Sequence, residues 1–344
     1  MSWNPAQTCV LFGGTGFIGK HLASHLFASG LAEQVVLADT RPLVIDAWLP
    51  ELEAGCRCGR LRFVPVDVRH ALPDKELPDR ADLVVNLAAV HREPGHAAEE
   101  YFATNLCGAE NVCAWAERVG CPWIVFSSSI APYGPTEEEK DENSLPAPVT
   151  AYGASKLAAE KIHLAWSGAD PNRRLLIVRP GVVFGPGEGG NVTRLVRAVL
   201  RHSFCYTGNR RTRKAGGYVK ELCHAITWML QRQASEKLAT MLFNFTMDPP
   251  PTVEEYVQAV CREAGVKRFV PSLPYPALLA ASHVVGAAGR LLHINQPVDP
   301  VRIRKLVRSN NIVPRVLREL GYPYRFTLES ALADWRQQRP EDWR

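Results

Sequence analysis

The first half of this 344-residue chain repeats one unit, a short run rich in Val, Ile and Leu followed by a longer stretch able to form a helix. The runs fall at residues 8–12, 34–38, 61–66, 82–87, 123–128 and 174–179. Each is mostly apolar on both faces, so both faces must be covered. That pattern is what a parallel sheet between two helical layers requires. The intervening stretches, 20–29 and 103–119 for example, are long enough for crossover helices. The expected class is α/β, with a doubly wound parallel sheet.

After Pro180 the alternation weakens. Residues 191–202 read as a helix, 210–220 as a Gly- and Lys/Arg-rich loop, and 241–245 as one more strand returning to the sheet. From 270 onward the chain is punctuated by proline and reads as helical. The expected organisation is a nucleotide-binding unit over 1–180, with a returning strand near 240–246. A smaller, mainly helical substrate region over 181–344 is interleaved with the sheet. Hydrophobic residues make up 46% and charged residues 22%, which argues against disordered and fibrous classes. Nine scattered cysteines are an odd number, poor material for a disulfide framework, and suit a reducing cytoplasm. No signal peptide opens the chain, because Gly13 and Gly14 interrupt the first apolar run.

Directly after the first strand comes Gly-Gly-Thr-Gly-Phe-Ile-Gly, in which Gly13, Gly16 and Gly19 lead into a helix. A turn this tight needs residues without Cβ, so that backbone can approach a pyrophosphate. The helix N-terminus then offers unpaired N–H groups and a positive dipole end. Asp39 follows the second strand, 20 residues after Gly19. A carboxylate there accepts hydrogen bonds from both adenosine ribose hydroxyls and repels a 2′-phosphate. The motif therefore points to a Rossmann-type site and to NAD rather than NADP, although Arg41 close by could hold a 2′-phosphate. Asp67 and Val68 close the third strand, where adenine would lie. Asn86-Leu-Ala-Ala closes the fourth, and the small Ala88 and Ala89 suit either close approach of a cofactor or plain core packing.

The chemistry-bearing pair is Tyr152 and Lys156, spaced so that they share one face if the segment is helical. An ammonium beside a phenol favours phenolate, which makes tyrosine a usable acid and base near neutral pH. The companion segment, Phe126-Ser-Ser-Ser-Ile-Ala-Pro-Tyr-Gly, ends the fifth strand, and ligands in such folds sit at the carboxyl ends of strands.

Taken in order, GGTGFIG, Asp39, NLAA, FSSSIAPYG, YGASK and RPGVVFGPG (residues 179–187) resemble the extended short-chain dehydrogenase/reductase family. The likeness is greatest to its nucleotide-sugar epimerases and 3β-hydroxysteroid-dehydrogenase-like members, strong over residues 8–187 and weaker beyond. It implies catalysis by Tyr152 and Lys156 with Ser129 as the serine, Ser128 being the next candidate. It implies cofactor contacts at Gly13, Gly16, Phe17, Ile18, Gly19, Asp39, Asp67, Val68, Leu87, Ala88, Ala89, Asn105, Ser127, Tyr152, Lys156 and Pro180. The dehydratase branch carries Thr-Asp-Glu where this chain has Ser129-Ile-Ala, which argues against a 4,6-dehydratase. Pro132 replaces the usual Val before Tyr-Gly, and Glu221 stands where an aspartate is usual. A homodimer is implied as well.

On the substrate side, residues 181–344 hold 24 Lys and Arg against 13 Asp and Glu, a balance of +11, whereas residues 1–180 balance at −6. A loop with Arg213, Lys214 and two flexible glycines either closes over a diphosphate or is simply solvated. Asn191 and Arg194 at a helix start, Tyr133, and His91 in the loop after NLAA are further candidates for a sugar-nucleotide pocket. The basic residues are not interleaved with an aromatic platform, so nucleic acid is not expected. No metal site is suggested. The apolar stretch 277–289 is too short to span a bilayer. It reads as a buried or lid helix, with weak membrane contact as the alternative given Arg302, Arg304, Lys305 and Arg308. The expected activity is epimerisation of a nucleotide-diphosphate sugar through a keto intermediate. The rivals are net oxidation or reduction of a sugar, steroid-like or lipid-linked alcohol, and non-catalytic NAD binding.

Overall fold

The computed structural model describes residues 6–93, 95–276 and 308–344. The expectations for 277–289 and for Arg302, Arg304 and Lys305 lie outside them. In chain order the strands are β1 (Ala6–Phe12), β2 (Ala32–Asp39), β3 (Leu61–Pro65), β4 (Leu83–Asn86), β5 (Trp123–Ser127), β6 (Thr136–Lys140), β7 (Arg174–Pro180), β8 (Val182–Phe184), β9 (Tyr206–Thr207), β10 (Gly216–Tyr218), β11 (Thr240–Phe245), β12 (Ser272–Leu273) and β13 (Asn310–Ile312). The helices are α1 (Phe17–Ala28), α2 (Pro50–Arg57), α3 (Ala98–Arg118), α4 (Ala151–Gly168), α5 (Asn191–Leu200), α6 (Val219–Glu236), α7 (Val253–Ala264), α8 (Arg315–Glu319) and α9 (Leu328–Gln338).

Seven strands form one sheet in the order β11-β7-β5-β4-β1-β2-β3, and every pairing is parallel. The order reverses between β1 and β4, which opens a crevice at their carboxyl ends. Six of these strands are the runs read from the sequence, and the returning strand is β11, added at the edge beside β7. Cys9, Leu11, Val35, Leu37, Val85, Val125, Leu176 and Val178 face one helical layer, with Leu22, Leu26, Ile226 and Met229. Val10, Phe12, Val36, Val84, Ile124, Phe126 and Ile177 face the other, with Val112, Trp115 and Trp166. Successive residues of one strand thus enter opposite cores, which is why the runs show no polar alternation.

A third core gathers α5, α7 and α9 around Phe184, Tyr218, Tyr256 and Trp335. Here two local expectations give way. The 210–220 segment is not a free loop throughout, because it becomes β10 and then enters α6. Gly216 and Gly217 are not flexible hinges either. A Cβ on Gly216 would lie 2.4 Å from the Tyr256 hydroxyl, and one on Gly217 would lie 2.3 Å from Phe245. These glycines serve close packing. Two short strands, β12 and β13, fall in the stretch read as helical from 270 onward.

Candidate active site

The crevice between β1 and β4 is lined by backbone on both sides. Gly13, at φ +74°, ends β1 so close to β4 that a Cβ would lie 2.7 Å from Ala88 N and 2.8 Å from Leu87 C. Gly14 and Gly19 meet in the next turn, where a Cβ on Gly19 would lie 2.4 Å from Gly14 O. Gly16 caps α1 without a side-chain hydrogen bond, so the first-turn N–H groups, including those of Phe17 and Ile18, lack a capping side chain. Lacking a Cβ and opening a twelve-residue helix, this cradle fits a dinucleotide pyrophosphate. Asp39 is buried at the end of β2. Its carboxylate accepts from Thr15 N–H at 3.2 Å and Arg41 N–H at 3.1 Å, tying the glycine turn to the second strand. Arg41 Nε stands 3.8 Å from Asp39 Oδ1.

The other expected cofactor positions divide. Leu87 N donates to Phe12 O at 2.8 Å and Ala88 N to Asn86 Oδ1 at 3.3 Å, so the small residues after β4 are held at the crevice. The Asp67 carboxylate is engaged by Arg69 Nη2 at 2.6 Å, which holds it below the usual carboxylate range. Val68 is buried against α3, where Gly108 leaves room for it. Asn105 is bonded within the protein. Its oxygen accepts from Val90 N at 3.1 Å, and its nitrogen donates to Val90 O at 3.3 Å and to Ser155 Oγ at 2.9 Å. Those bonds fix the loop after β4 to α3 and α4. Pro180 ends β7 and accepts from Ile130 N at 3.1 Å.

Thr150 caps α4 by accepting from Gly153 N–H at 3.1 Å. Gly153 lets the helix approach the turn after β5, where a Cβ would lie 2.7 Å from Ala131 O. This brings Tyr152 to Ser129. Ser129 Oγ accepts from Ala131 N–H at 3.1 Å and keeps its own proton to donate. Burial pushes the Tyr152 phenol up to about 12, hydrogen bonding with Ser129 opposes that, and Glu93 and Tyr101 add to the rise. Tyr101 donates to Arg92 O, which pins the loop carrying His91 and Glu93 beside α3.

Lys156 departs from expectation. Its ammonium donates to Ser127 O at 2.8 Å and lies 4.8 Å from the centre of the Phe126 ring. Burial brings Lys156 down to about 7, and Glu160 opposes that. Lys156 and Tyr152 do share one face of α4, one turn apart.

Two serine-segment readings are also corrected. Ser128 Oγ turns inward and donates to Glu160 Oε1, whose carboxylate is bidentate with Arg179 at 2.8 and 2.6 Å. Tyr133 is fully buried, donates to Asn244 Oδ1 at 3.0 Å and accepts from Arg179 Nη1 at 2.8 Å, so its hydroxyl is unavailable to a substrate. For Ser128 the reason is alternation just past the end of β5, whereas Tyr133 sits on the short helical turn Ala131–Tyr133 and packs with Ile130, Ala215 and Ile312.

The basic segment is bonded to its neighbours. Arg213 Nη1 donates to Pro250 O and Lys214 Nζ to Arg308 O, both at 2.6 Å. Burial lowers Lys214 to about 8 and Glu137 opposes that. These cations tie the segment to its neighbours. Asn191 and Arg194 are exposed on α5 and bonded to each other at 2.6 Å, and His91 is exposed in its loop. Sequence reading missed Gly14, Thr150, Gly153, Glu160 and His163. Glu160 had a signal, since it repeats the helical step one turn beyond Lys156. Among the described residues no group of three or more His, Cys, Asp or Glu could hold a metal ion.

The chain is 29% identical over 266 residues to the N-acetyl-alpha-D-glucosaminyl-diphospho-ditrans,octacis-undecaprenol 4-epimerase of Escherichia coli O157:H7, covering 75% of this chain and 79% of that one. It is 23% identical to the 4-hydroxy-2-methyl-3-oxo-4-farnesyl-3,4-dihydroquinoline-1-oxide ketoreductase of Stigmatella aurantiaca, over 95% of both chains. Its fold matches the UDP-glucuronic acid 4-epimerase of Bacillus cereus, solved with NAD, at a TM-score of 0.72 and 16% identity, covering 98% of this chain and all of that one. The profile of the NAD dependent epimerase/dehydratase family matches residues 9–241, so with this cradle and this Tyr/Lys helix the chain belongs to that family of enzymes.

Proposed function

We propose that the protein is an NAD-dependent epimerase of a nucleotide-diphosphate sugar. The observation that carries this reading is Ser129 and Tyr152, brought together by Gly153 at the carboxyl end of β5, beside the glycine cradle. The 4-epimerase relative supports it. Gly13, Gly16, Phe17, Ile18 and Gly19 would hold the pyrophosphate, Asp39 the adenosine ribose, and Ala88, Ala89 and Ser127 would flank the rest. NAD would supply a hydride acceptor, and a positive charge beside a phenol that stands at about 12 in the protein alone. Tyr152 Oη takes the proton of the sugar hydroxyl and later returns it. Ser129 would donate to the same oxygen, and Lys156 would orient the nicotinamide ribose. Positioning and proton transfer account for the rate, the proton step contributing about 10²–10⁴-fold.

Asp39 at the ribose favours NAD over NADP. The outward faces of α3 and α4, with Phe102 exposed, support a homodimer through paired helices. The free cysteines support a cytoplasmic setting. No helix among the described residues is long and apolar enough to cross a membrane.

Incubation with UDP- and GDP-sugars tests the reading. Epimer formation without net NADH supports it, and stoichiometric turnover of NADH or NADPH overturns it. That second outcome would favour the oxidoreductase reading, which the ketoreductase relative keeps open.

A further inference from the structure

The interior side of α4 carries a polar chain that the reaction above does not use. Lys156, Glu160 and His163 lie on its buried face. Glu160 Oε1 accepts from Ser128 Oγ and from Arg179 Nε at 2.8 Å, and Oε2 accepts from Arg179 Nη2 at 2.6 Å. Arg179 continues to the Tyr133 hydroxyl and on to Asn244, whose backbone N–H donates to Glu142 at 2.8 Å. Every side chain from Ser128 to Asn244 is buried.

We propose that Glu160 is a positioning residue for the catalytic pair. Its carboxylate anchors the serine segment through Ser128, and it supplies the negative charge that lets a fully enclosed Lys156 stay an ammonium.

Two geometric facts support this. First, Ser128 and Ser129 are adjacent at a strand end. Fixing Ser128 inward on Glu160 leaves Ser129 on the side of Tyr152, so the anchor selects which serine faces the reaction. Second, among the described residues Glu160 is the carboxylate one turn from Lys156 on the buried face of α4. From α4 the lysine is faced by Tyr152, Glu160 and His163, from β5 by Ser127 O and the Phe126 ring, from the loop after β4 by His91, and through Glu160 by Arg179 on β7. His163 does not compete for charge. It stacks on Phe126 at 4.0 Å, Nδ1 donates to Ala159 O at 2.8 Å, and Nε2 accepts from Asn86 Nδ2 at 3.3 Å. Those two bonds hold the neutral ring, with burial bringing it down to about 4. An opposite charge one turn away adds to the Ser127 carbonyl and the Phe126 ring in favouring the ammonium.

The proposal rests on Lys156 serving the reaction, and its test does not depend on which substrate is turned over. The Cε resonance of Lys156, assigned with Lys156→Arg in lysine-labelled protein, is titrated in the wild type and in Glu160→Gln. The expected result is a midpoint lower by about one pH unit or more in the variant. The alkaline limb of turnover should move down in parallel, with kcat reduced and KM little changed. Should the lone variant fail to fold because Arg179 is left unpaired, Glu160→Gln with Arg179→Met removes the orphan charge and should show a smaller fall of the same sign. A midpoint that stays in place or rises, with loss of thermal stability alone, overturns the proposal and leaves Glu160 as a packing element. A wild type that epimerises no sugar while the midpoint falls removes the functional reading and leaves this one. Epimerisation with an unmoved midpoint does the reverse.

Discussion

Gly13→Ala probes the cradle most directly, because its cost divides into two parts that a second glycine can separate. Gly13 sits at φ +74°, where an L side chain costs about 1–2 kcal/mol. Its new Cβ would also lie within 2.9 Å of three atoms of the Leu87–Ala88 backbone. Backbone cannot rotate away as a side chain tip can, so about 1–3 kcal/mol of overpacking is added. Gly30, just past α1, has φ +65° with nothing within 4 Å, so Gly30→Ala carries the first cost without the second. In urea unfolding followed by tryptophan fluorescence, Gly13→Ala should therefore lose about 1–3 kcal/mol more than Gly30→Ala. The relief available to the fold is to part the ends of β1 and β4, which deforms the crevice. NAD affinity measured by calorimetry should then fall at least about tenfold in Gly13→Ala and hold in Gly30→Ala. Equal losses of stability, with equal NAD affinity, would show that the close approach of β1 to β4 is not what shapes the site.

Other consequences are as direct. Tyr152→Phe should lower kcat by about 10²–10⁴-fold, and Ser129→Ala should lower it less, with NAD retained in both; intact turnover in either would remove it from the chemistry. Asp39→Asn should weaken NAD binding by about 1.5–3 kcal/mol, because a charge-assisted acceptor is lost, and should narrow the preference over NADP; fluorescence titration with both dinucleotides reads this. His21, His25, His163 and His224 are each held neutral, mainly by burial, at about 4. The unfolded chain therefore takes up protons that the folded one refuses between about pH 6.5 and 4. Stability is complete above that window and lost as pH falls through it, so urea midpoints should drop there, and less in His224→Gln.

The sheet was legible because a parallel strand covered on both faces leaves an unbroken apolar run, and β11 could be read as a returning strand for the same reason. The glycine turn was legible because Gly13, Gly14 and Gly19 are held within backbone contact that a Cβ would break. What sequence alone left open is direction. Ser128 and Ser129 are chemically identical, and only the inward bond to Glu160 separates them. Tyr133 reads as a candidate substrate contact, and a sequence does not show Arg179 and Asn244 closing around it. Arg213 and Lys214 read as a free basic loop because their partners are backbone carbonyls of Pro250 and Arg308, and a carbonyl leaves no mark in a sequence. The same holds for the lysine of the catalytic pair. The spacing of Tyr152 and Lys156 puts them on one face, but the ammonium is drawn to Ser127 O by a strand end 29 residues earlier. Spacing therefore identifies which groups can cooperate, whereas the charge state of the lysine is set by its burial and by residues behind it. Here those residues, Glu160, Arg179 and His163, come from α4 and the strand beside β5, which makes the rear of the helix as much a part of the site as its open face.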